Sequence, residues 1–462
     1  MSARRRGPKP ADAAVLAGAG TIAAIATPHG RGALALVRLT GPDAFAIARR
    51  CMTPWPLEPR RATLVTIHDP DSTERADVAL ATAFVAPHSF TGEDTLEVSS
   101  HGGAVAPARV LAAFVRAGAR TAAPGEFTRR ALLNGRIDLL QAEAIGDLID
   151  APTSLFHRAA LGQLSGALTA TITALRASLI DLEALLAYDI DFPEEDEGPL
   201  AAVRVTEAVA TARHAIRELL DTLPVARIAR EGAVVVFAGV PNAGKSSLFN
   251  ALLGEARAIV TEHPGTTRDA IDALIDADPY PLRLVDTAGL RDALDPVERM
   301  GVEVSTQWLT RADVVLLCGP ARADRDAAER AMAGSGAARI RVRTMIDRTD
   351  AVNDEPEAIA VSAARGDGLG ALRDAIRREL SARYPLPRAD APLIVRARHE
   401  RALTTADQEL ALFGEAWTAR ALPAPVASVH VRAAIHALDS LIGAVGVEDV
   451  LSRVFERFCV GK

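Results

Sequence analysis

The chain has 462 residues, which at about 150 residues per domain is material for roughly three domains. Hydrophobic residues make up 49% and charged residues 24%, which argues against a disordered chain; with aromatics at 4%, the cores must be built from Ala, Leu, Val and Ile. The 52 Lys and Arg against 59 Asp and Glu leave a net charge of −7, so any nucleic-acid site has to be a local patch, not a global field. Three cysteines, Cys51, Cys318 and Cys459, stand at no metal-binding spacing and fit a reducing, cytoplasmic setting without structural disulfides. No apolar run reaches the 18 or more residues of a membrane span.

Arg4-Arg5-Arg6 ahead of the Ala-rich stretch Ala11–Thr27 has the outline of a signal peptide. Pro8 and Pro10 split its charged and apolar parts, and Gly18-Ala19-Gly20 interrupts the latter, so residues 1–20 read as a loose basic tail. Residues 21–135 then read as an α+β domain. Strands are expected at Thr21–Thr27, Ala33–Leu39, Val78–Val85 and Thr95–Val98, with a helix at Ala106–Ala117. From 136 to 230 the pattern turns helical. Leu161, Leu164, Leu168, Ile172, Leu175, Leu179, Leu182 and Leu186 fall at spacings of three and four, which predicts one long helix stopped at Asp189–Gly198 by Pro193 and its carboxylates. A second helix is expected over Ala201–Leu223. Residues 231–384 read as an α/β domain opened by the strand Ala233–Ala238. Pro385 and Pro387 mark a hinge, and helices return over 385–462. The architecture expected is a helical domain interrupted by an inserted α/β domain.

Within that insert, Gly239-Val-Pro-Asn-Ala-Gly244-Lys245-Ser246 has the spacing of a P-loop, with a strand before it and the apolar helix face Leu248, Phe249, Leu252 after it. Its glycines let backbone N–H groups cradle phosphates, Lys245 supplies a cation, and Ser246 offers a hydroxyl to Mg²⁺. Pro264-Gly-Thr-Thr-Arg-Asp269 lies where a switch loop would be, and Thr267 would complete the Mg²⁺ shell. Asp286-Thr-Ala-Gly289 follows the strand Leu282–Val285, bringing a carboxylate near the metal and a glycine N–H near the γ-phosphate. Base recognition departs from the Asn-Lys-x-Asp usual in GTPases, since the chain has Thr344-Met345-Ile346-Asp347. Asp347 retains the carboxylate that pairs with the guanine N1 and N2 hydrogens, Met345 can cover the base, and Thr344 reaches less far than Asn. Ser362-Ala363 suits the loop whose backbone meets guanine O6. A carboxylate repels the adenine N1 acceptor, so GTP is favoured over ATP. Leu290, after the glycine of the switch, cannot orient a water as a glutamine would. An amide at Asn242 can help hold a monovalent cation beside the phosphates. Asp295-Pro-Val-Glu298-Arg299 brings carboxylates near the second switch, where solvated surface is the default for Glu298.

At this point the sequence closely resembles the MnmE/TrmE family of tRNA-modification GTPases, from Thr21 to Lys462. The resemblance is carried by Ala26-Thr-Pro-His-Gly-Arg-Gly32, Phe90-Thr-Gly-Glu-Asp94, His101-Gly-Gly103, Pro124-Gly-Glu-Phe-Thr128, Leu133-Asn-Gly-Arg-Ile-Asp138, Gln141-Ala-Glu-Ala144 and the terminal Phe458-Cys-Val-Gly-Lys462. It implies a multidomain protein: an α+β N-terminal folate-binding and dimerisation domain, an α-helical bundle, and an inserted Ras-like G domain. It also implies a homodimer that works on tRNA in the cytoplasm with an FAD-containing partner (MnmG/GidA). Together they install an aminomethyl-type, or carboxymethylaminomethyl, group on C5 of the wobble uridine of certain tRNAs. The one-carbon unit would come from 5-formyl- or 5,10-methylene-tetrahydrofolate.

By the same resemblance, GTP would be held by Asn242, Ala243, Gly244, Lys245, Ser246 and Ser247; by Thr261, Glu262, His263, Pro264, Gly265, Thr266 and Thr267; by Asp286, Thr287, Ala288 and Gly289; and by Asp347, Ser362 and Ala363. Mg²⁺ would sit on Ser246 and Thr267, and K⁺ on Asn242, Thr261, His263 (through its backbone) and Thr266. Glu298 would position the attacking water. Folate would be bound by Arg38, Glu97, Arg136 and Lys462. Taken alone, Arg38 after an apolar strand also suits a surface charge. Glu97 between Leu96 and Val98 points to the opposite strand face from both, where its carboxylate can accept two pterin hydrogens. Cys459 is implied to be catalytic, and by itself reads equally as a nucleophile or a buried small residue. A ribosome-assembly or RNA-binding switch of the Era/Der type shares the G domain but would need an RNA-binding appendage such as a KH domain with its GXXG loop, which the flanking segments lack.

Overall fold

The computed structural model describes residues 20–72, 74–191, 202–255, 257–258, 272–286, 308, 310–331, 336–348, 355–388, 391–419, 424–443 and 461. Residues 1–146 with 439–462 form one compact unit and residues 147–438 a second.

The first unit is a seven-stranded sheet. In chain order it comprises β1 (Ile22–Ile25), β2 (Leu34–Thr40), α1 (Ala44–Cys51), β3 (Met52–Thr53), β4 (Thr63–His68), β5 (Arg75–Phe84), β6 (Thr95–His101), α2 (Ala106–Arg116), β7 (Arg120–Thr121) and α3 (Glu126–Leu133). The sheet order is β3-β4-β5-β6-β2-β1-β7, antiparallel except for the β1–β7 pair. The four strands and the helix expected from the sequence are all present. Helices α1 and α3 and strands β3, β4 and β7 are additional to the expected elements. Alternation explains the layers: Val37, Leu39, Ala79, Ala81, Ala83, Leu96 and Val98 point inward to meet Ile47, Val110 and Phe114 of α1 and α2. On the other side, Phe127 of α3 packs with Ile22 and Ala24 of β1.

A buried polar cluster ties the loops of this unit together. Arg130 lies between Glu93 at 2.9 Å and Glu126 at 3.1 Å, and Glu126 also binds Arg120. Burial pushes the Glu126 carboxyl up, but the Arg120 hydrogen bond, the Ala123 N–H and the charges of Arg120 and Arg130 outweigh it and hold it below its ordinary value. Thr40, Thr91 and Thr95 share hydroxyl hydrogen bonds of 2.7–3.2 Å beside it.

After α4 (Leu139–Ile149), the expected long helix is two: α5 (Ser154–Leu164) and α6 (Ala167–Asp191). Gly166 at φ 88° breaks the run, a conformation a glycine adopts without steric cost. The apolar stripe survives only on α6, where Leu168, Ile172, Leu175, Leu179, Leu182 and Leu186 are buried; Leu161 is 45% exposed. Next come α7 (Ala202–Leu220), the helix expected over Ala201–Leu223, and α8 (Leu223–Glu231), which is additional to it. Pro224 starts the new helix, in a first turn that needs no proline N–H.

The α/β insert follows: β8 (Ala233–Ala238), α9 (Lys245–Glu255), β9 (Arg257–Ala258), β10 (Asp272–Asp276), β11 (Leu282–Asp286), β12 (Val314–Gly319), α10 (Arg322–Ala331), β13 (Ala338–Arg343), β14 (Ile359–Ala360) and α11 (Leu369–Arg383). Its sheet order is β14-β13-β12-β8-β11-β10-β9, parallel from β14 to β11. Both faces are covered, so β8 and β12 read as unbroken apolar runs and every residue in them is buried. Helices α12 (Ala397–Thr418) and α13 (Ala424–Ile442) complete the described elements. Arg213 of α7 reaches Asp407 of α12 at 2.8 Å, joining helical segments on either side of the insert.

The insert is clasped to α8 by Asp313, which is 3% exposed. Its carboxylate accepts from Arg227 of α8 at 2.7 Å, from the Tyr384 hydroxyl at 2.6 Å and from the Val234 N–H of β8 at 2.8 Å. The Tyr384 carbonyl in turn accepts from the Tyr280 hydroxyl at 2.7 Å.

Candidate functional site: a phosphate-binding loop and its base-side neighbour

Strand β8 delivers the chain to Gly239, where no side chain fits because a Cβ would collide with the Cys318 carbonyl. The loop then passes through Asn242 at φ 61° and Gly244 at φ 81° before α9 begins at Lys245. Successive residues of this kind turn backbone N–H groups to one side and make a concave anion seat, and the positive end of α9 adds to it. Lys245 is 6% exposed; its ammonium donates to the Gly239 and Val240 carbonyls, both at 3.0 Å. Leu248, Phe249 and Leu252 anchor the helix, with Phe249 edge-on to Phe237 of β8 at 5.8 Å. Asp286 ends β11 in register with Phe237 and is buried at the same end of the sheet.

The base-side loop follows β13. The Thr344 hydroxyl donates to the Ala243 carbonyl at 2.7 Å and its N–H to the Gly319 carbonyl at 3.3 Å. A side chain shorter than asparagine therefore still ties this loop to the phosphate loop. Met345, at φ 57°, leans on the same loop: its Cε would lie 3.2 Å from a Cβ at Gly244. The Ser362 hydroxyl donates to Asp347 at 2.8 Å and accepts from the Arg365 N–H at 3.1 Å. That serine bond, with the Arg365 and Arg348 charges, holds the Asp347 carboxyl below its ordinary value, so the group is an anion ready to accept. Ala243 and Gly244, in the loop that runs from Asn242 to Ser247, thus meet Thr344 and Met345, and Asp347 meets Ser362.

Sequence reasoning missed one support of this arrangement. Arg325 of α10, fully buried, donates to the Gly319 carbonyl at 2.8 Å and to Glu355 at 2.9 Å through Nε. Gly319 is the residue that also receives the Thr344 N–H. Nothing in the spacing of Arg325 announces this, because its partners lie on segments brought together only by the sheet.

The residues Thr261, Glu262, His263, Pro264, Gly265, Thr266 and Thr267 lie outside the described residues, as do Thr287, Ala288, Gly289, Leu290, Glu298, Cys459 and Lys462.

In the first unit, Arg38 and Glu97 face each other in the β2–β6 register and form an ion pair at 2.8 Å, both half-buried. The alternation expected for Glu97 is present: Leu96 and Val98 are buried on the opposite face. Arg136 lies against the 90–94 loop, its Cγ 3.2 Å from where a Gly92 Cβ would be, and the Asn134 amide donates to the Thr91 carbonyl at 2.7 Å. Gly461, buried and at φ 101°, sits so close to β1 that a Cβ would lie 2.5 Å from the Ile25 carbonyl oxygen. The end of the chain therefore returns to the strand paired with β2. Gly102 is seated equally closely against the Gly32 carbonyl, so two of the sequence motifs meet.

Comparisons with known proteins identify relatives of this chain. The family model described as GTP-binding protein TrmE N-terminus matches residues 21–136, and that for the MnmE helical domain matches residues 139–459. The tRNA modification GTPase MnmE of Geobacter sulfurreducens is 39% identical over 96% of this chain and 99% of its own length. That of Thermus thermophilus is 42% identical over 96% and 98%. Among solved structures, the G domain of the T. maritima FeoB iron transporter aligns with 32% of this chain and 98% of its own at 23% identity and a TM-score of 0.25. No helix among the described residues is long and apolar enough to cross a membrane. Two family models that together run from residue 21 to 459, and relatives matched along almost their whole length, lead to one statement: the chain belongs to the MnmE family of tRNA modification GTPases.

Proposed function

We propose that this GTPase couples GTP hydrolysis to the addition of a carboxymethylaminomethyl-type group at C5 of the wobble uridine in tRNA, with a tetrahydrofolate one-carbon donor and an FAD-containing partner of the MnmG/GidA type. The observation that carries the nucleotide half is the Asp347–Ser362 pair beside a loop whose shape is fixed by Gly239, Gly244 and Thr344. A carboxylate held as an anion accepts both guanine hydrogens, and the loop N–H groups with Lys245 take the phosphates.

Mg²⁺ would be held by Ser246 and Thr267 near Asp286, hard oxygen donors suited to that ion, and would neutralise phosphate charge. K⁺ would be held by Asn242, Thr261, His263 and Thr266. The φ of 61° at Asn242 supports a special role for its backbone, since a non-glycine residue adopts that conformation at a cost. Glu298 would position the attacking water, which Leu290 is unable to do. Hydrolysis is expected to depend on K⁺ over Na⁺ and to rise with protein concentration as G domains pair. Glu298→Ala should slow turnover about 10²-fold or more with GTP affinity nearly unchanged. Equal rates in NaCl and KCl would remove the cation role.

The folate reading draws support from the first unit. Arg38 holds one oxygen of Glu97 through Nε, which leaves the other carboxylate oxygen able to accept from a pterin. Arg136 lies beside the 90–94 loop, and the seat of Gly461 on β1 supports the return of Lys462 to the same domain. Cys459 would act from that tail. Leu34, Leu64, Val78 and Leu80, 41–68% exposed on one face of the β2–β6–β5–β4 strands, support homodimer formation through this domain. Calorimetry should give a loss of about 1–3 kcal/mol in tetrahydrofolate affinity for Glu97→Ala, which unpairs pterin donors, and a loss on removing Lys462. If wild type and both variants bind alike, the folate pocket lies elsewhere.

Nucleoside mass spectrometry of tRNA tests the whole. A strain lacking the gene should lose the C5-modified wobble uridine and regain it from a plasmid copy. An unchanged nucleoside profile would refute the modification chemistry.

A further inference from the structure

A cavity of about 680 Å³ opens where α8 meets the end of α11 and the start of α12, lined among others by Arg227, Arg230, Tyr384, Arg383, Arg396 and Glu400. It belongs to neither the phosphate loop nor the folate residues. Two of its arginines are already tied to carboxylates: Arg227 to Asp313 at 2.7 Å and Arg396 to Asp147 at 2.7 Å. The other two are exposed and have no carboxylate partner among the described residues. Arg383 lies over the Tyr384 ring at 5.4 Å and donates to the Gly336 carbonyl, while Arg230 makes no hydrogen bond or ion pair there.

The charge continues beyond the cavity. The two segments that supply its lining, residues 223–231 and 383–400, carry six arginines, no lysine and three carboxylates, in a chain whose net charge is −7. Arg388, exposed within the second segment, and Arg401, exposed one residue beyond it, add charge along the chain next to the lining residues. Guanidinium forks match phosphate oxygens two at a time, so a cluster of them fits a sugar–phosphate chain.

We infer that this arginine-lined cavity between α8, α11 and α12 is a contact surface for the tRNA backbone. The inference rests on the tRNA role proposed above and assigns it a place on the protein. Phosphate contacts fix register without reading bases, so the surface orients tRNA and leaves the choice of uridine to other groups.

The test is a salt titration with the full-length protein and end-labelled total tRNA from a strain lacking the gene, followed by anisotropy from 50 to 200 mM KCl. Each lost phosphate contact removes about 0.7–0.9 from the slope of log affinity against log salt, so Arg230→Ala with Arg383→Ala should flatten it by about 1.4–1.8. At 0.1 M KCl the same two contacts correspond to a roughly 25- to 60-fold loss in affinity. GTP hydrolysis without tRNA should be unchanged. Arg230→Glu alone, at a side chain with no partner among the described residues, should weaken binding in the same sense and covers the case in which the double variant fails to fold. An unchanged slope in a folded variant overturns the inference. So does a variant that keeps its tRNA slope but loses binding to polyglutamate, which would make the patch a seat for an acidic protein. Wild-type protein that binds no tRNA at any salt overturns the tRNA role itself, a result distinct from an unchanged slope.

Discussion

Replacing Asp347 by alanine should lower GTP affinity by about 10²-fold or more and erase the preference for guanine over adenine. Two hydrogen bonds from guanine to an anionic carboxylate are each worth about 1.5–3 kcal/mol, and both vanish together. The loop itself should survive, because its anchor to the phosphate loop is the Thr344 hydroxyl on the Ala243 carbonyl and not the carboxylate. Asp347→Asn sharpens the test. The amide oxygen still accepts from Ser362, while its NH₂ meets a guanine donor with a donor and would instead suit the O2 carbonyl of xanthine. Titration of GTP, ATP and XTP by fluorescence competition reads all three. Wild-type protein that binds GTP and ATP equally would end the assignment of Asp347 as the base reader.

Loss of the Asp313 carboxylate should produce the largest change in stability. Asp313→Ala strands the Arg227 guanidinium, the Tyr384 hydroxyl and the Val234 N–H, each of which has that carboxylate as its partner. Removing one side of a fully buried ion pair costs about 3–5 kcal/mol, but Arg227 keeps 36% of its side chain in water and recovers part of that by hydration, so about 2–3 kcal/mol is expected here. The Arg227 charge is stabilised mainly through this pair: burial lowers its pKa, and the Asp313 hydrogen bond and charge more than reverse the effect. Urea unfolding followed by circular dichroism should show the midpoint falling for Asp313→Ala and less for Asp313→Asn, which keeps the shape and one acceptor. Equal midpoints for the wild type and alanine variant would show that α8 and the insert are held together by other contacts.

Both residues illustrate what the sequence disclosed and what it did not. Asp347 was legible as a candidate base reader because that reading depends on local spacing: a strand, a loop and a carboxylate at a fixed distance along the chain. The same holds for β8 and the loop to Ser246, whose continuous apolar run and glycine positions are local signals. Asp313 was invisible, since its three partners come from residues 227, 234 and 384 and meet only after the sheet forms. Arg325 is a parallel case. The apolar stripe from Leu161 to Leu186 misled in the opposite way. Its periodicity is real, but periodicity carries no information on a single glycine taking a positive φ, so Gly166 divided a helix that side-chain spacing had joined. Thr344 was legible as a departure from the usual asparagine, yet its compensating bond to Ala243 depends on how closely two loops approach.

Among the 52 basic residues only Lys9, Lys245 and Lys462 are lysines. Guanidinium groups do not react with amine-directed acylating reagents, so along the whole interior of the chain the P-loop is the single place where such chemistry can land. There the amine is buried and donates to the Gly239 and Val240 carbonyls, which makes it a slow nucleophile. Acylation of the peptide containing Lys245, followed by its mass, becomes a clock for how often that side chain leaves its loop. The protein thus carries its own single-position reporter of motion at the phosphate seat, with no mutation and no attached dye.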